Sequence, residues 1–456
     1  MNKTDFSTLA LSKEMLHNLS EIGYKEMTPI QAQSLPFILE GRDVIAQAKT
    51  GSGKTAAFGI GVLHKLQVKK FRVQTLILCP TRELADQVAK ELRMLARFAH
   101  NVKILTLCGG SAFGPQLGSL HHGAHIVVGT PGRILKHLKK ETLSLEDMQM
   151  LVLDEADRML DMGFSEEINE VLAFTPKDKQ TLLFSATYTD EIMDISAKIQ
   201  KDAMNIKTIS TEIANSITER FYEVQNSQKI STLINILSNF KPENVIVFAN
   251  TKAEVVEIAQ TLQKNKIDAL AIHGDLEQYE RNDVLVQFAN KSCPVLVATD
   301  VAARGLDIKE LSMVVNYDLP HSQEIYTHRI GRTARAGEEG LAFTLISPYE
   351  VDKADEYKNE TRLFEDAKEL KEMVGFEMKP AYVTLVIEGG KKDKVRAGDI
   401  LGALTGEAGL EGSFIGKIDI YDKQSYVAVA SSKVDEAHEK LKNGKIKGKK
   451  FSIWIL

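Results

Sequence analysis

The sequence predicts an α/β protein: two parallel-sheet domains followed by a small α+β domain. Two separate series of short β-branched runs, alternating with helix-length amphipathic stretches, carry the first half of that prediction. A closing stretch patterned β-α-β-β-α-β carries the second. A length of 456 residues has room for about three domains, and 43% hydrophobic with 26% charged residues excludes wholesale disorder or a fibre.

The first series runs from about Val44 to Ala186 as VIAQA, TLILCP, KILTLCG, HIVVGT, MLVLDEAD and TLLFSAT. Apolar runs bounded by turn residues suit strands buried on both faces and joined by right-handed crossover helices. A second series begins near Val245: VIVFANT, ALAIHGD, VLVATD, MVVNYDL and GLAFTLI. Between them, Asn205 to Ser216 is weakly periodic and reads as an interdomain linker. After Pro348, VDKADEYKNETRLFEDAKELKEM reads as a solvated charged helix that closes the second domain and leads into a further linker. Beyond Pro380 come YVTLVIEGG, VRAGDILGALTGEAGL, IGKIDIYD, SYVAVASS, VDEAHEKLKNG and KKFSIWIL, the split βαβ order on which RNA-recognition modules are built. The expected division is 1–207, a linker 208–218, 219–365, a linker 366–380, and 381–456.

The formal charge is −5, so nucleic-acid binding has to come from local patches. Cys79, Cys108 and Cys293 lie far apart without a CxxC pair and read as buried free thiols, not zinc ligands or a disulfide scaffold. HHGAH gathers His121, His122 and His125 without the acidic partner a metalloprotease helix needs, and reads as a surface loop. MNKTDFSTLA lacks the basic start and apolar core of a secretory leader, and no apolar run approaches the ~20 residues of a membrane span. A cytoplasmic protein with no membrane partner is expected.

The most specific local signal is AKTGSGKT, made of Ala48, Lys49, Thr50, Gly51, Ser52, Gly53, Lys54 and Thr55, which follows a strand and opens the helix AAFGIGVLHKL. Glycines let backbone N–H groups crowd around phosphate oxygens, Lys54 supplies a point charge to the outer phosphates, and Thr55 suits Mg²⁺. LVLDEAD then delivers Asp154 and Glu155 at the carboxyl end of an apolar strand, where open α/β sheets bind ligands. Asp154 suits the Mg²⁺ and Glu155 the orientation of an attacking water. Together these residues point to hydrolysis of a nucleoside triphosphate.

The tetrad Asp154 to Asp157 is the signature of the DEAD-box RNA helicases, and the first roughly 350 residues resemble that family's two-domain core, built of RecA-like domains. TPIQ, Thr28 to Gln31, resembles its Q motif, with Phe6 at the upstream aromatic position; the resemblance implies that Gln31 reads the adenine edge and selects ATP. In HRIGRTARAG, Arg332 and Arg335 lie three apart, a spacing that on a helix puts both on one face, and they resemble arginine fingers that stabilise transition-state charge. Gly305 and Asp307 of ARGLD resemble family residues that touch phosphate and ribose. Ser185 and Thr187 of SAT resemble the motif that couples the DEAD tetrad to RNA binding.

PTRELADQ with Thr81 and Arg82, the Gly109–Gly110 pair, and TPGR with Thr130 and Arg133 fall at successive strand ends of the first domain. Exposed backbone N–H groups and arginines in such places follow a sugar-phosphate backbone without reading bases. In the second domain Asn250 and Thr251, Gln278 and Arg281, and Thr299 beside Asp300 resemble the matching half of the track. The resemblance implies single-stranded RNA, with 2′-hydroxyl contacts favouring it over DNA. It also implies local parting of short duplexes, with ATP and RNA each favouring the arrangement that holds the other.

Residues 381–456 carry 13 basic against 10 acidic side chains. Lys391, Lys392, Lys394 and Arg396 crowd one loop and helix start, and Lys440, Lys442, Lys445, Lys447, Lys449 and Lys450 crowd another segment. The sheet of this RNA-recognition-like domain has Val386 where an aromatic ring is usual and keeps one stacking candidate, Tyr426. The combination GGKK, RAGDILGALTGEAGL, IGKI and GKIKGKK resembles the tail of the DbpA subfamily of bacterial DEAD-box helicases. That resemblance implies binding of a hairpin in 23S ribosomal RNA through the basic loop, the first helix and the sheet edge, and a role in late assembly of the 50S subunit on pre-50S particles. No obligate protein partner is inferred. Two other functions share parts of this pattern: a DNA translocase, against which Gln31, Phe6 and the whole tetrad speak, and an RNA clamp gated by ATP without turnover, against which Glu155, Arg332 and Arg335 speak.

Overall fold

In the computed structural model the residues described are 4–48, 51–208, 217–303, 311–333, 340–357, 362–373, 375–406 and 409–456. Each run of the first series forms one strand: β1 (Val44–Gln47), β2 (Thr75–Leu78), β3 (Ile104–Leu107), β4 (Ile126–Gly129), β5 (Met150–Asp154) and β6 (Gln180–Ser185). A seventh, β7 (Met204–Lys207), is formed by the first residues of the stretch read as linker, because they pair in parallel with β1. The order is β3-β4-β2-β5-β6-β1-β7, parallel throughout. Alternate side chains leave opposite faces of a strand. Val44, Ala46, Ile77, Val152, Leu182 and Phe184 accordingly enter one apolar cluster, while Ile45, Leu76, Leu78, Leu151, Leu153 and Leu183 enter another. Both faces are therefore covered, which explains why these runs are apolar without alternation.

The second sheet comprises β8 (Ile217–Glu223), β9 (Val245–Phe248), β10 (Ala269–Ile272), β11 (Val295–Ala298), β12 (Met313–Asn316), β13 (Gly340–Ile346) and β14 (Arg362–Asp366), ordered β10-β11-β9-β12-β13-β8-β14. This is the order of the first sheet, strand for strand. The sequence reading missed β8, and it placed a charged helix where β14 lies. The charges of RLFED and ITERFYE pair across the two strands: Arg362 Nε donates to Glu219 Oε2 at 2.8 Å, and Glu365 accepts from Tyr222 Oη at 2.7 Å and from Arg220 Nη1 at 3.2 Å. Phe364 stacks on Phe221 with ring centroids 4.7 Å apart. Arg362–Asp366 is thus an edge strand held by cross-strand pairs, and earlier in the run the helix is short, Val351–Ala354.

The closing pattern folds as read. β15 (Tyr382–Ile387), β16 (Ile415–Ile420), β17 (Ser425–Ala430) and β18 (Ile453–Ile455) form an antiparallel sheet ordered β16-β17-β15-β18, with helices Ala397–Thr405 and Val434–Asn443 sharing a core with one of its faces. The chain divides into two compact units: the first sheet belongs to one, and the second sheet with this small domain to the other. Within the latter, the remaining face of the small sheet meets the helix Gln278–Ala289, where Val286 packs with Val386 and Tyr426 beside Trp454 and Leu456. Asn290 Nδ2 donates to Thr384 Oγ1 at 2.8 Å, and Thr384 Oγ1 to Ser292 Oγ at 2.8 Å. The segment leading into the small domain also pairs with the second sheet's edge, Met378 N donating to the Lys266 carbonyl and Asp268 N to that of Met378.

Candidate active site and nucleic-acid interface

β1 ends beside β6, and Ala48 N donates to the Ser185 carbonyl at 3.0 Å. The loop that follows needs left-handed backbone at Gly51 (φ +84°) and Gly53 (φ +92°), which glycine adopts without steric cost. A Cβ on Gly53 would lie 2.4 Å from Gln31 Nε2, so the loop is packed against TPIQ. Gln31 is buried, and its amide bridges Thr28 N, which donates to Oε1 at 2.9 Å, and the Gly53 carbonyl, which accepts from Nε2 at 3.0 Å. Phe6 lies buried in the adjacent apolar cluster, edge-on to Tyr24. Lys49 and Thr50 fall outside the described residues. Ser52 lies half-buried on the loop, and Thr55 half-buried in the first turn of the helix Lys54–Lys65.

Lys54 and Asp154 are both buried, and among the described residues neither Lys54 Nζ nor Asp154 Oδ1 has a hydrogen-bond partner. Burial pushes the Asp154 carboxyl up, with the charge of Lys54 opposing the shift. Buried polar atoms without partners are costly unless a ligand completes them. A polyphosphate carrying Mg²⁺ is chemically matched to that pair: the lysine meets oxygen anions and the carboxylate a hard cation.

Glu155, next in the chain, sits in left-handed backbone (φ +54°), and its Oε2 lies 2.8 Å from Arg158 Nη1, both side chains being buried. Asp157 Oδ2 accepts from the N–H groups of Ala186 and Thr187, each at 3.0 Å, and from Thr187 Oγ1 at 3.2 Å. The tetrad and SAT are therefore tied by one carboxylate, while Ser185 Oγ is buried without a partner among the described residues.

In the second sheet, Arg329 gathers the carboxyl ends of three strands. Its Nε and Nη2 grip Asp300 Oδ1 and Oδ2 at 2.7 Å each, Nη1 reaches the Asp318 carbonyl at 2.8 Å, and Nη2 reaches Asn250 Oδ1 at 3.0 Å. Asp318 Oδ1 lies 3.0 Å from Lys229 Nζ, and its Oδ2 accepts from Asn250 N at 2.9 Å. The helix carrying Arg329 thus fixes the ends of β9, β11 and β12, and Arg332 follows it, buried. Arg335, Gly305 and Asp307 fall outside the described residues.

The expected RNA-facing residues sit at carboxyl ends of parallel strands. Thr81, Gly109–Gly110 and Thr130 follow β2, β3 and β4, and the two glycines are exposed. Thr81 Oγ1 caps its helix by accepting from Leu84 N, and Arg82 Nε lies 3.9 Å from Asp86. Arg133, half-buried, is bonded to Gln116 and to the Ser111 carbonyl. In the second sheet Asn250–Thr251 follow β9 and Thr299 follows β11, while Gln278 and Arg281 lie on the helix after β10. Arg281 Nη2 donates to the Ala302 carbonyl at 2.7 Å.

On the small domain, Lys391, Lys392, Lys394 and Arg396 are exposed, as are Lys445 and Lys447. The two basic segments, far apart in sequence, meet: Lys447 Nζ donates to the Lys394 carbonyl at 2.9 Å. Gly389 and Gly390 permit this loop, since a Cβ on the first would strike the Phe451 ring at 2.4 Å and one on the second the Tyr421 carbonyl at 2.3 Å.

One expectation is corrected. HHGAH is not wholly a surface loop: His125 is fully buried, its Nδ1 accepting from Lys103 N at 3.0 Å and its Nε2 lying 2.9 Å from the Val68 carbonyl, while His121 and His122 are exposed. Its ring ties the β2 approach to β3. Arg158, Arg329, Asp318 and Gln116 were not singled out from the sequence. Arg329 and Asp318 had a signal, a charge inside a quoted motif or ending an apolar run; Gln116 had none.

Comparison with known proteins agrees with this geometry. Residues 28–195 match the DEAD/DEAH box helicase family, 228–337 the helicase conserved C-terminal domain, and 384–455 the DbpA RNA binding domain. ATP-dependent RNA helicase DbpA of Escherichia coli (strain K12) is 50% identical over 99% of this chain and 100% of its own length. DEAD-box ATP-dependent RNA helicase CshA of Bacillus cereus is 45% identical over 76% of this chain and 66% of its own. The structure of Saccharomyces cerevisiae Dbp5 bound to RNA and ADP BeF3 superposes with a TM-score of 0.72 at 28% identity, covering 80% of this chain and 96% of that one. Fold and site together are those of an ATP-dependent RNA helicase. The chain belongs to the DEAD-box helicases, and its C-terminal domain places it with the DbpA members of that family.

Proposed function

We propose that this helicase parts short RNA duplexes locally, is directed by its C-terminal domain to a hairpin of 23S ribosomal RNA, and acts in the cytoplasm in assembly of the 50S subunit on pre-50S particles. The observation that carries the address is the meeting of the two lysine-rich segments at Lys394 and Lys447. The sheet face that bases usually stack on is occupied by Val286, which leaves the basic loops and the helix beginning at Ala397 as the surface for RNA. The end-of-strand residues of the core grip sugar and phosphate, so the core is indifferent to sequence and the tail supplies the choice.

In the catalytic step Lys54 and the glycine loop hold the triphosphate, Glu155 orients the attacking water, and Arg332 with Arg335 offsets the charge that develops on the transferring phosphoryl group. Thr55 and Asp154 would hold Mg²⁺, which when bound supplies charge neutralisation at the phosphate oxygens. Gln31 sets the Gly53 end of the loop and selects adenine. Asp157 carries the state of the tetrad to Thr187 through the bonds described above.

The test is an ATPase titration of the full chain with a large-subunit rRNA fragment bearing the hairpin and with unrelated RNAs of equal length. Half-maximal stimulation is expected at far lower concentration with the rRNA fragment. Equal stimulation by both would remove the rRNA address. Efficient separation of duplexes much longer than one helical turn without reloading would remove local parting.

A further inference from the structure

Arg133 does not stand alone at the end of β4. Its Nη1 donates to Gln116 Oε1 at 2.7 Å and its Nη2 to the Ser111 carbonyl at 2.9 Å. Gln116 Nε2 in turn donates to the Cys108 carbonyl at 3.1 Å and to Ser111 Oγ at 2.8 Å. His137 Nε2 lies 3.1 Å from the same Gln116 Oε1. A carbonyl oxygen only accepts, so the ring proton sits on Nε2. His137 is fully buried, with Nδ1 2.9 Å from Thr142 Oγ1 and its ring stacked on Phe113 at a centroid distance of 4.2 Å.

One amide therefore ties three segments: the loop carrying Gly109 and Gly110, its own helix Phe113–His121, and the helix Pro131–Lys139 that bears Arg133 and His137. Among the described residues two of the five N–H groups of Arg133 donate hydrogen bonds, to Gln116 Oε1 and the Ser111 carbonyl, which leaves others for a phosphate. We infer that Gln116 is a positioning residue for the RNA grip: it holds the Arg133 guanidinium and the Gly109–Gly110 loop in one arrangement before RNA arrives, with His137 as its buttress. The inference rests on the proposed contact of Arg133 and the glycine pair with the sugar-phosphate backbone. Ordering a long side chain in advance removes the entropy loss of fixing it on binding, which corresponds to a roughly 3- to 10-fold change in affinity.

The experiment measures RNA affinity and RNA-dependent ATPase of the full chain across a salt series, with an unstructured single-stranded RNA as probe, for Gln116→Leu, Gln116→Glu and Arg133→Ala. Gln116→Leu is expected to raise the KM for RNA roughly 3- to 10-fold, keep kcat at saturating RNA, and keep the salt slope, because Arg133 still meets its phosphate. Gln116→Glu keeps the acceptor for Arg133 and His137 but sets a carboxylate oxygen against the Cys108 carbonyl, so the loop loses its tie and a raised KM for RNA is expected here too. Arg133→Ala weakens binding and lowers the log–log salt slope by about 0.7. Unchanged affinity in Arg133→Ala would sink the proposed RNA path; weakened binding there with parental behaviour in Gln116→Leu or in Gln116→Glu would overturn the positioning role alone. Should Gln116→Leu fail to fold, Gln116→Ser, too short to reach Arg133, takes its place with the same expected outcome.

Discussion

Tyr426 of the C-terminal sheet donates its hydroxyl proton to Asp283 Oδ1, 2.8 Å away on the helix that also carries Gln278 and Arg281. The same ring lies against Val286 and Val386. A face that elsewhere serves bases here serves the helicase's second domain.

Val286→Asp is expected to break that contact, since an unpaired carboxylate among apolar side chains costs several kcal/mol. Trp454 is the only tryptophan in the sequence and belongs to the same cluster, so its emission should shift to the red and become accessible to a soluble quencher. An unchanged spectrum would mean that the face is not held there.

Asp157 satisfies two backbone N–H groups and a hydroxyl at SAT. Thr187→Val removes only the last of these and should lower stability by roughly 0.5–1.5 kcal/mol, whereas Asp157→Ala leaves both N–H groups without an acceptor at about 1–3 kcal/mol each. Urea midpoints of the two variants check the ranking; equal losses would show that the carboxylate bears no special share.

Glu155→Gln keeps shape and removes the carboxylate beside the expected attacking water. Turnover of ATP should fall roughly 10²- to 10⁴-fold, while RNA binding in the presence of ATP persists. Undiminished turnover would assign the water to another group.

Burial, with Arg133 and Lys136 nearby, pushes the His137 imidazole down to about 4 from 6.5. Between those values the unfolded chain binds a proton that the folded one refuses, so this residue's contribution to stability shrinks as pH falls from about 6.5 towards 4. The stability gap between the parent and His137→Asn, measured by urea unfolding at pH 7.5 and pH 5, should narrow at the lower pH. A constant gap would contradict the burial argument.

The strands of both sheets were readable wherever the chain is apolar and β-branched, because two-sided burial leaves a continuous mark. β14 was not, since its stability comes from Arg362, Glu365 and Phe364 meeting partners on β8 that are remote in sequence. The phosphate loop and the tetrad were legible for a similar local reason: Gly51, Gly53, Lys54 and Asp154 act within short motifs. Gln116 shows the opposite case, a residue whose meaning is wholly in what it touches. Val386 and Tyr426 show a third, where the sequence signals a poor stacking surface and only the tertiary packing explains what the surface is for.

Lys229 and Asp318 occupy, in the second sheet, places close to those of Lys54 and Asp154 in the first: a lysine opening the helix after the first strand of its series, an aspartate at the end of the fifth or two residues beyond it. In the earlier copy Lys54 Nζ and Asp154 Oδ1 have no hydrogen-bond partner among the described residues; in the later one the two charges neutralise each other at 3.0 Å. A cradle that has closed upon itself has nothing left to offer a triphosphate, so a single nucleotide per chain is expected, and equilibrium dialysis should count one; a count of two would contradict this reading.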